Sequence, residues 1–384
     1  MRKIWPGAIW SPLSPTRVEN DAPEPTIPGP RWVLVKNTLC GICSSDLSVL
    51  NLEVGPEVAA APLPSWHKVY LGHEVVGEVI EIGSEVTRFK PGDRVVMESR
   101  FAGPTCFSQE IDVLCPRCAN GQTQLCENTS LGLGPSGVGG GWSDMYNAHE
   151  SELWPVPDEI SDAQAILIEP SAVGLHAVLR RPPMDQEKLL VIGAGTISLL
   201  TIQIIKILVP SCHITVLARY PQQIELARKW GADKVIDEDN LYKALAQLTG
   251  AKYYEFMMNR GMLLGGFDLI YDFVGSANTI TDSLRWARAG GTVVLIGIKL
   301  RMIKVDLNPI WFQEVDLIGS NTFGMEQWNG ENRHAYNIVI DLMRTGKLDH
   351  QGLITHQFPL DDYREAVTTA IDKKTGSIKV TFRF

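Results

Sequence analysis

A group of closely spaced cysteines is the most specific chemical signal in this sequence. Cys115 and Cys118 are separated by two residues, and Cys126 follows after seven more. Two close thiolates and a third across a short loop are typical of a tetrahedral zinc site. No fourth cysteine stands at an equally short spacing. We therefore expect Asp112, three residues before Cys115, to supply the fourth ligand, with Cys106 as the competing candidate.

The segment LLVIGAGTISLL indicates a second kind of site. Gly193 and Gly195 directly follow an apolar run and precede an apolar segment of helical length. Gly193 permits a tight turn, Gly195 lets the backbone approach a pyrophosphate, and a helix beginning at Thr196 and Ile197 presents free N–H groups to the anion. Ser198 stands where glycine or alanine is usual. Within a strand–turn–helix unit this motif predicts dinucleotide binding, whereas alone it fits a glycine-rich turn in another α/β protein.

The end of the next strand bears on which dinucleotide binds. About twenty residues after the glycine motif, an NAD site usually carries an acidic residue for the ribose hydroxyls. Here that position is Ala218, and Arg219 follows it. A missing acid beside an arginine favours a 2′-phosphate, so we expect NADP in preference to NAD. The alternative is that Arg219 stacks on adenine or faces solvent.

Four residues from three distant segments of the sequence could bind a second metal ion. They are Cys43 in CGICSSD, His73 and Glu74 in LGHE, and Glu169 in IEPSAVG. Taken singly, a histidine or a cysteine is more often a structural residue than a ligand. Hydride transfer from an alcohol, however, needs a Lewis acid to acidify the hydroxyl. Together with a dinucleotide site, these residues predict a second zinc.

The patterns around these motifs predict two kinds of architecture. Residues 31–93 alternate short β-branched runs with glycine and proline, which indicates antiparallel β structure. From Leu189 the chain alternates strands and helices, which predicts an α/β domain with a doubly wound parallel sheet. Tyr253–Gly266 fits the end of a helix followed by a loop. The predicted strands of the parallel sheet are Leu189–Ile192, Ile214–Leu217, Lys234–Ile236, Leu269–Asp272, Thr292–Ile296 and Val315–Ile318.

Composition limits the classes of partner. A chain of 384 residues with 45% hydrophobic residues can bury two or three cores. The 44 acidic residues against 35 basic ones argue against nucleic acid or an anionic membrane as the main partner. The apolar stretch Leu189–Val209 divides into strand, turn and helix and is not expected to span a membrane. Seven cysteines without a recognisable secretion signal favour metal ligation in the cytoplasm over disulfides.

Several longer motifs carry a family resemblance. The segments CGICSSD, GHEVVGEVIEIGSEVTRFKPGDRVV, CPRCANGQTQLCEN, EPSAVGLHA and VIGAGTISLL occur in this order. The chain resembles the zinc-dependent medium-chain alcohol dehydrogenases, particularly their polyol and sugar branch. The resemblance implies a mainly-β, GroES-like catalytic domain from residues 1–170 and 321–384. It also implies a Rossmann dinucleotide-binding domain at residues 171–320.

The resemblance assigns roles to the second metal site. Cys43 and His73 match catalytic zinc ligands. Glu74 and Glu169 match carboxylates that complete the coordination shell or exchange within it. Glu169 takes the place of a cysteine, which points to the polyol and sugar branch.

Further roles follow from the same resemblance. Ser45 matches the hydroxyl that passes the substrate proton towards solvent, and Asp46 matches a carboxylate that supports the ligands. The motifs DFVGS and LIGI place Val274, Gly297 and Ile298 near the nicotinamide half of the cofactor.

The resemblance thus implies a zinc-dependent oxidoreductase. It would transfer a hydride between an alcohol (a polyol, a sugar or a secondary alcohol) and NAD(P), giving the aldehyde or ketone. One alternative is an NADPH-dependent carbonyl reductase acting on a biosynthetic intermediate with the same residues. A non-catalytic dinucleotide-binding protein is the second, but Cys43, His73 and Ser45 are all present. The expected partners are a small-molecule substrate and further copies of the chain, as a homodimer or homotetramer.

Overall fold

The structure, a computed structural model, describes residues 16–51, 53–55, 70–98, 103–129, 139–237, 240–257 and 261–384. The chain divides into two compact units. The first contains Met1–Glu169, Asn332–Gly346 and His350–Phe384, and the second contains Pro170–Glu331 and Lys347–Asp349.

In chain order, the strands are β1 (Trp32–Gly41), β2 (Glu74–Ile82), β3 (Arg94–Met97), β4 (Met145–His149), β5 (Leu153–Pro155), β6 (Lys188–Ile192), β7 (His213–Leu217), β8 (Lys234–Ile236), β9 (Lys252–Glu255), β10 (Gly261–Leu264), β11 (Phe267–Asp272), β12 (Ala287–Leu295), β13 (Asp316–Gly319), β14 (Met325–Trp328), β15 (Glu331–His334), β16 (Ile354–Pro359) and β17 (Lys379–Arg383). The helices are α1 (Ser44–Leu50), α2 (Pro116–Ala119), α3 (Asp162–Ala165), α4 (Ile168–Arg180), α5 (Thr196–Leu208), α6 (Pro221–Lys229), α7 (Leu241–Thr249), α8 (Ala277–Trp286), α9 (Asn308–Phe312), α10 (Ala335–Arg344) and α11 (Tyr363–Ile371).

The first unit is built on a mainly antiparallel sheet. Its strands lie in the order β16-β17-β1-β2-β3-β5, and β4 also pairs with β1. Strands β1 and β2 are rich in valine, whose branched side chain packs well on a pleated surface. Their inward residues, such as Val33, Val35 and Val79, form a core with Tyr146 and Phe382. Strand β17, from the far end of the chain, is therefore held beside β1.

The second unit confirms the predicted doubly wound fold. Six parallel strands lie in the order β13-β12-β11-β6-β7-β8. Central strands of such a sheet are covered on both faces and therefore read as continuous apolar runs. Strand β6 shows this pattern, because Leu189, Leu190, Val191 and Ile192 are all buried. Each of these six strands lies where the sequence predicts one.

One prediction for the second unit is wrong. The described residues of Tyr253–Gly266 lie largely in two antiparallel strands, β9 and β10, and not in the end of a helix with a loop. Tyr253 and Tyr254 favour a pleated strand, and Leu263 of β10 is fully buried in the core around Trp286. Burial of that side chain outweighs the weak local pattern.

The long apolar stretch around the glycine motif divides as expected. Strand β6, a short turn and helix α5 share it, and α5 has only 13 residues. Among the described residues, no helix has the length and apolar character needed to cross a bilayer.

Candidate active site

The pairing of β1 with β2 brings Cys43, His73 and Glu74 together. Cys43 lies two residues after the end of β1, and His73 and Glu74 stand at the start of β2. Gly41 and Glu74 are partners in the antiparallel register, so the end of one strand lies beside the start of the other. One ligand atom from each of the three residues lies within 4.8 Å of the other two. A thiolate, an imidazole and a carboxylate at this spacing suit a single zinc ion.

Asp46 orients the histidine of this group. Its carboxylate accepts hydrogen bonds from the backbone N–H groups of Cys43 (2.9 Å) and Gly72 (3.1 Å), and it lies 3.2 Å from Nδ1 of His73. Burial opposes ionisation, but His73 and these N–H groups outweigh it and lower the pKa of Asp46. An ionised Asp46 keeps the imidazole proton on Nδ1, which leaves Nε2 free to bind a metal.

Glu74 is paired with a lysine that sequence reasoning missed. Nζ of Lys379, on β17, forms a salt bridge with Oε2 of Glu74 and also lies 3.4 Å from the carbonyl oxygen of Ile42. Both side chains are almost fully buried, at 4% and 1% exposure. Burial would lower the pKa of Lys379, but the negative charges of Glu74 and Cys43 raise it. The lysine therefore stays charged and offsets part of the negative charge of the site.

Gly41 provides the space for that carboxylate. A Cβ built at Gly41 would lie 1.9 Å from Oε2 of Glu74, a distance that no real side chain tolerates. The presence of glycine at position 41, in the motif CGIC, thus has a steric explanation. Only glycine leaves the carboxylate of Glu74 room to reach Lys379.

Glu169 and Ser45 complete the predicted set in the first unit. Glu169, the second residue of α4, is buried, and burial raises its pKa to about 7, while His73 acts in the opposite direction and Glu74 in the same one. Its carboxylate is outside the group whose ligand atoms all lie within 4.8 Å. Ser45 is half-buried in the first turn of α1, two residues after Cys43. The charges of His73 and Glu74 therefore affect the pKa of Glu169, although Glu169 is not in the group formed by Cys43, His73 and Glu74.

The cysteine cluster forms a separate group. Cys106, Cys115, Cys118 and Cys126 are all buried and have their Sγ atoms within 4.8 Å of one another. Backbone N–H groups of Cys118 and Glu127 each donate to Sγ of Cys115 at 3.4 Å. These bonds lower the pKa of Cys115 to about 6. Four converging sulfurs with N–H···S bonds fit a closed, tetrahedral zinc site.

The fourth residue of this group corrects the first choice made from sequence. Cys106 takes that position and Asp112 is not among the converging atoms. Sγ of Cys106 lies 3.7 Å from Sγ of Cys126 and accepts hydrogen bonds from the N–H of Cys115 (3.4 Å) and from Nδ2 of Asn128 (3.2 Å). The loop between residues 106 and 115 folds back, so proximity along the chain is a poor guide here.

The glycine motif has the geometry that a dinucleotide site needs. Gly193 has φ +93°, in the left-handed region that favours glycine. Gly195 is the N-cap of α5, and a Cβ built there would meet no atom within 4 Å. Gly195 is therefore not required by packing within the protein, and the space beside it suits a pyrophosphate at the helix N-terminus. Ser198 fits the third position because its Oγ donates to the carbonyl of Gly195 at 2.9 Å. Thr196 and Ile197 form the first turn of α5.

The end of β7 borders an open cavity. Arg219 is exposed there, next to the buried Ala218. A cavity of about 420 Å³ lies beside α6 and is lined by Pro221, Ile224, Glu225, Arg228 and Asp237. Sequence reasoning had not singled out Arg228 or Asp237. Basic and acidic groups thus share this cavity.

The predicted residues of the nicotinamide half lie at the ends of neighbouring strands. Val274 follows β11, and Gly297 and Ile298 follow β12. Val274 lies against the glycine motif, since a Cβ built at Gly193 would be 3.0 Å from its Cγ2. Ile298 is exposed. The carboxyl ends of parallel strands are where open α/β sheets bind their ligands.

Lys379 is the main functional residue that the sequence analysis missed. It stands in the strand-like segment Ile378–Phe384, whose residues at 378, 380, 381 and 382 are also buried. A lysine among buried strand residues indicates a buried partner of opposite charge. In the sequence alone, Lys379 falls on the polar face of an alternating strand, so its burial was not indicated.

Two family models match this chain. Residues 29–158 match the family model of the alcohol dehydrogenase GroES-like domain, and residues 196–340 match that of the zinc-binding dehydrogenases. Together the two models match more than half of the chain. L-idonate 5-dehydrogenase of Vitis vinifera is 28% identical over 92% of this chain and 88% of its own length.

Solved structures agree with these matches. A zinc-binding dehydrogenase from Sinorhizobium meliloti 1021, bound to NADP, has a TM-score of 0.71 and 26% identity, with 94% of both chains covered. The 2R,3R-butanediol dehydrogenase of Bacillus subtilis has a TM-score of 0.70 and 27% identity, with 96% of both chains covered. The two matched models, the zinc-type relatives and the shared fold lead to one conclusion. This chain belongs to the family of zinc-dependent medium-chain alcohol dehydrogenases, enzymes that act on CH–OH donors with a nicotinamide cofactor.

Proposed function

We propose that this chain oxidises a polyol, a sugar or a secondary alcohol to the carbonyl compound with NAD(P), at a zinc site formed by Cys43, His73, Glu74 and Glu169. The observation that carries the proposal is the convergence of Cys43, His73 and Glu74 within 4.8 Å. Bound there, zinc would supply a Lewis acid for the alcohol oxygen. Glu169 is proposed to complete the coordination shell or to exchange within it.

The protein side chains would divide the remaining work. Asp46 holds the tautomer of His73 that can bind metal, through its contact with Nδ1. Lys379 holds the carboxylate of Glu74 in a fixed position. Ser45, half-buried in the same helical turn that follows Cys43, is proposed to take the substrate proton and pass it towards solvent.

The relatives favour oxidation over the carbonyl-reductase alternative. L-idonate 5-dehydrogenase, D-arabinitol dehydrogenase 1 of Uromyces fabae and 2R,3R-butanediol dehydrogenase are all named for oxidation of a hydroxyl group. Two of these three names describe a sugar acid or a sugar alcohol. We therefore propose a polyhydroxylated substrate of similar chemistry.

A metal and activity measurement tests this function. Purified protein is expected to hold about two zinc ions per chain and to reduce NAD(P) with members of a polyol and secondary-alcohol panel. Cys43→Ser should lower the zinc content to about one and abolish turnover. Cys212→Ser is the matched control, because this buried thiol donates a hydrogen bond to the carbonyl of Met184 and is not among the residues proposed to bind metal. A Cys43→Ser variant with unchanged zinc and turnover would refute the proposal.

NADP is the proposed cofactor. Ala218 leaves the end of β7 without a carboxylate, and the exposed Arg219 beside it can donate to a 2′-phosphate. Glu225 and Asp237 in the neighbouring cavity act in the opposite direction. Arg219→Ala should weaken NADPH binding about tenfold in a fluorescence titration and leave NADH binding nearly unchanged. Equal effects on both cofactors would mean that Arg219 does not select the phosphate.

We also propose a homo-oligomer in the cytoplasm. Strand β13 lies at the edge of the parallel sheet, and large apolar side chains in the segment that precedes it along the chain are exposed: Met302, Leu307, Trp311 and Phe312. Monomeric proteins rarely expose such a patch, whereas a second copy of the chain would cover it. The clustered cysteine thiols favour a reducing compartment.

A further inference from the structure

Asp272 is a buried carboxylate that the proposed chemistry does not use. It ends β11, whose neighbours in the sheet are β6 and β12, and its exposure is 0%. Burying an ionisable group without partners costs several kcal/mol, so such a group is normally paired or hydrogen-bonded. Here the partners are backbone groups of the loops that follow the strands.

The side chain of Asp272 closes the loop after its own strand. Oδ1 accepts hydrogen bonds from the backbone N–H groups of Val274 (2.9 Å) and Gly275 (3.0 Å). This is the way in which aspartate holds a tight turn two residues further on. Burial raises the pKa of Asp272, and the same two bonds act in the opposite direction.

The backbone of Asp272 holds a second loop. Its carbonyl oxygen accepts from the N–H groups of Ile296 (3.0 Å) and Gly297 (2.9 Å), which follow β12. One residue therefore binds both loops through four hydrogen bonds. The loops that it joins contain Val274, Gly297 and Ile298.

The two loops are in direct main-chain contact. Gly275 has φ +61°, and a Cβ built there would lie 1.9 Å from the carbonyl oxygen of Gly297. A Cβ at Gly297 would lie 2.4 Å from the carbonyl carbon of Phe273. No side chain fits between these backbones, so the position of one loop determines the position of the other.

The same assembly reaches the glycine motif. The N–H of Phe273 donates to the carbonyl of Ile192 at 3.1 Å, and Val274 lies against Gly193. The loops after β6, β11 and β12 thus form one surface at the carboxyl edge of the sheet. We propose that Asp272 is a positioning residue that holds the loops after β11 and β12 as the platform for the nicotinamide half of the dinucleotide. This inference rests on the proposed dinucleotide-dependent function.

A pair of ligands separates this role from general stability. NADPH carries the nicotinamide, whereas 2′-phospho-ADP-ribose lacks it; NADH and ADP-ribose form the corresponding pair if the wild type binds NADH more tightly. Asp272→Ala should weaken binding of the complete dinucleotide about tenfold in calorimetry and change binding of the fragment about twofold or less. Asp272→Asn keeps the acceptor oxygen and should restore binding to nearly the wild-type value.

A control on the same strand completes the experiment. Asp268 pairs with Arg288 at the start of β11, and Asp268→Asn removes an equal charge at the other end of the strand. It should leave both affinities unchanged. If Asp272→Ala gives no folded protein, Asp272→Ser retains one acceptor and should show a smaller loss with the same preference for the complete dinucleotide.

The outcomes distinguish this inference from the proposed function. Equal weakening of the dinucleotide and its fragment, or no weakening of either, would overturn the role of Asp272. A wild-type protein that binds neither NADPH nor NADH would instead overturn the dinucleotide-dependent function itself.

Discussion

Lys379 and Glu74 form a buried ion pair beside the proposed zinc ligands. A buried pair is weak evidence for net stability, because desolvation offsets much of the attraction. Breaking the pair is different, since it leaves one charge buried without a partner. In this chain the pair also sets the position of a carboxylate within 4.8 Å of the sulfur and imidazole ligands.

Replacement of Lys379 tests the contribution of this ion pair to stability. Lys379→Met keeps the length of the side chain and removes its charge, so the buried Glu74 would lose the lysine that pairs with it. We expect the free energy of unfolding in urea to fall by about 3–5 kcal/mol. Adding Glu74→Gln to this variant should recover part of the loss, because the carboxylate that lost its lysine would then be neutral.

Lys374→Met is the control for Lys379→Met. Lys374 is exposed in the turn before β17, and removal of its charge should leave the urea midpoint unchanged. Similar stability of Lys379→Met and Lys374→Met would show that the buried pair has no structural role.

In the cysteine lobe, the path of a loop brings Cys106, the second of the two candidates from sequence, to the other three thiols. The loop after Cys106 has its own contacts, including a hydrogen bond from the N–H of Ile111 to the carbonyl of Cys106 at 2.9 Å. With that turn, the chain reverses direction and Cys106 lies close to Cys115. Asp112 is the nearer residue along the chain, but it does not converge with the thiols.

A comparison of two variants tests the lobe. Cys106→Ser should lower the zinc content by about one ion per chain and reduce thermal stability, because three thiolates and a hydroxyl hold zinc less tightly. Asp112→Asn should leave both quantities unchanged. Loss of zinc in Asp112→Asn with retention in Cys106→Ser would reverse this assignment.

At the scale of the whole molecule, the exposed patch near β13 argues for self-association. Trp311 is 82% exposed and Met302 78%, values that are costly for large apolar side chains in water. Among the described residues, β13 ends the six-stranded sheet and has a partner strand on one side only. An edge of this kind is normally covered or blocked in a soluble protein.

Substitution within the patch tests the assembly. Trp311→Glu should shift the protein towards monomers in sedimentation or light-scattering measurements, because the charge would be buried in an apolar interface. Met184→Glu is the control, since Met184 is also exposed in the second unit but lies outside the patch. An unchanged mass for Trp311→Glu would place the interface elsewhere, and a monomeric wild type would remove the proposal.

Local sequence was sufficient for the motifs and for most of the fold. The turn at Gly193 and Gly195, and the Cys115–Cys118 spacing, depend on neighbours within a few residues. The central parallel strands were predictable because burial on both faces makes each one a short apolar run. The edge strands β8 and β13 are only partly buried, and the alternation of strands and helices indicated them. The strands β9 and β10 were not predictable from local sequence, because their strand character depends on burial of Leu263 in a core formed by distant residues.

Contacts between distant segments were decided only by the tertiary structure. Lys379 and Glu74 are 305 residues apart, and they meet because β17 pairs with β1 and β1 pairs with β2. The choice of Cys106 depends on the path of a loop, and the role of Asp272 depends on two loops that follow different strands. The sequence by itself determined which chemical groups are available, since their types and local spacing are properties of the chain. Which groups meet was decided by the packing of the sheets, because that packing alone sets distances between residues far apart in sequence.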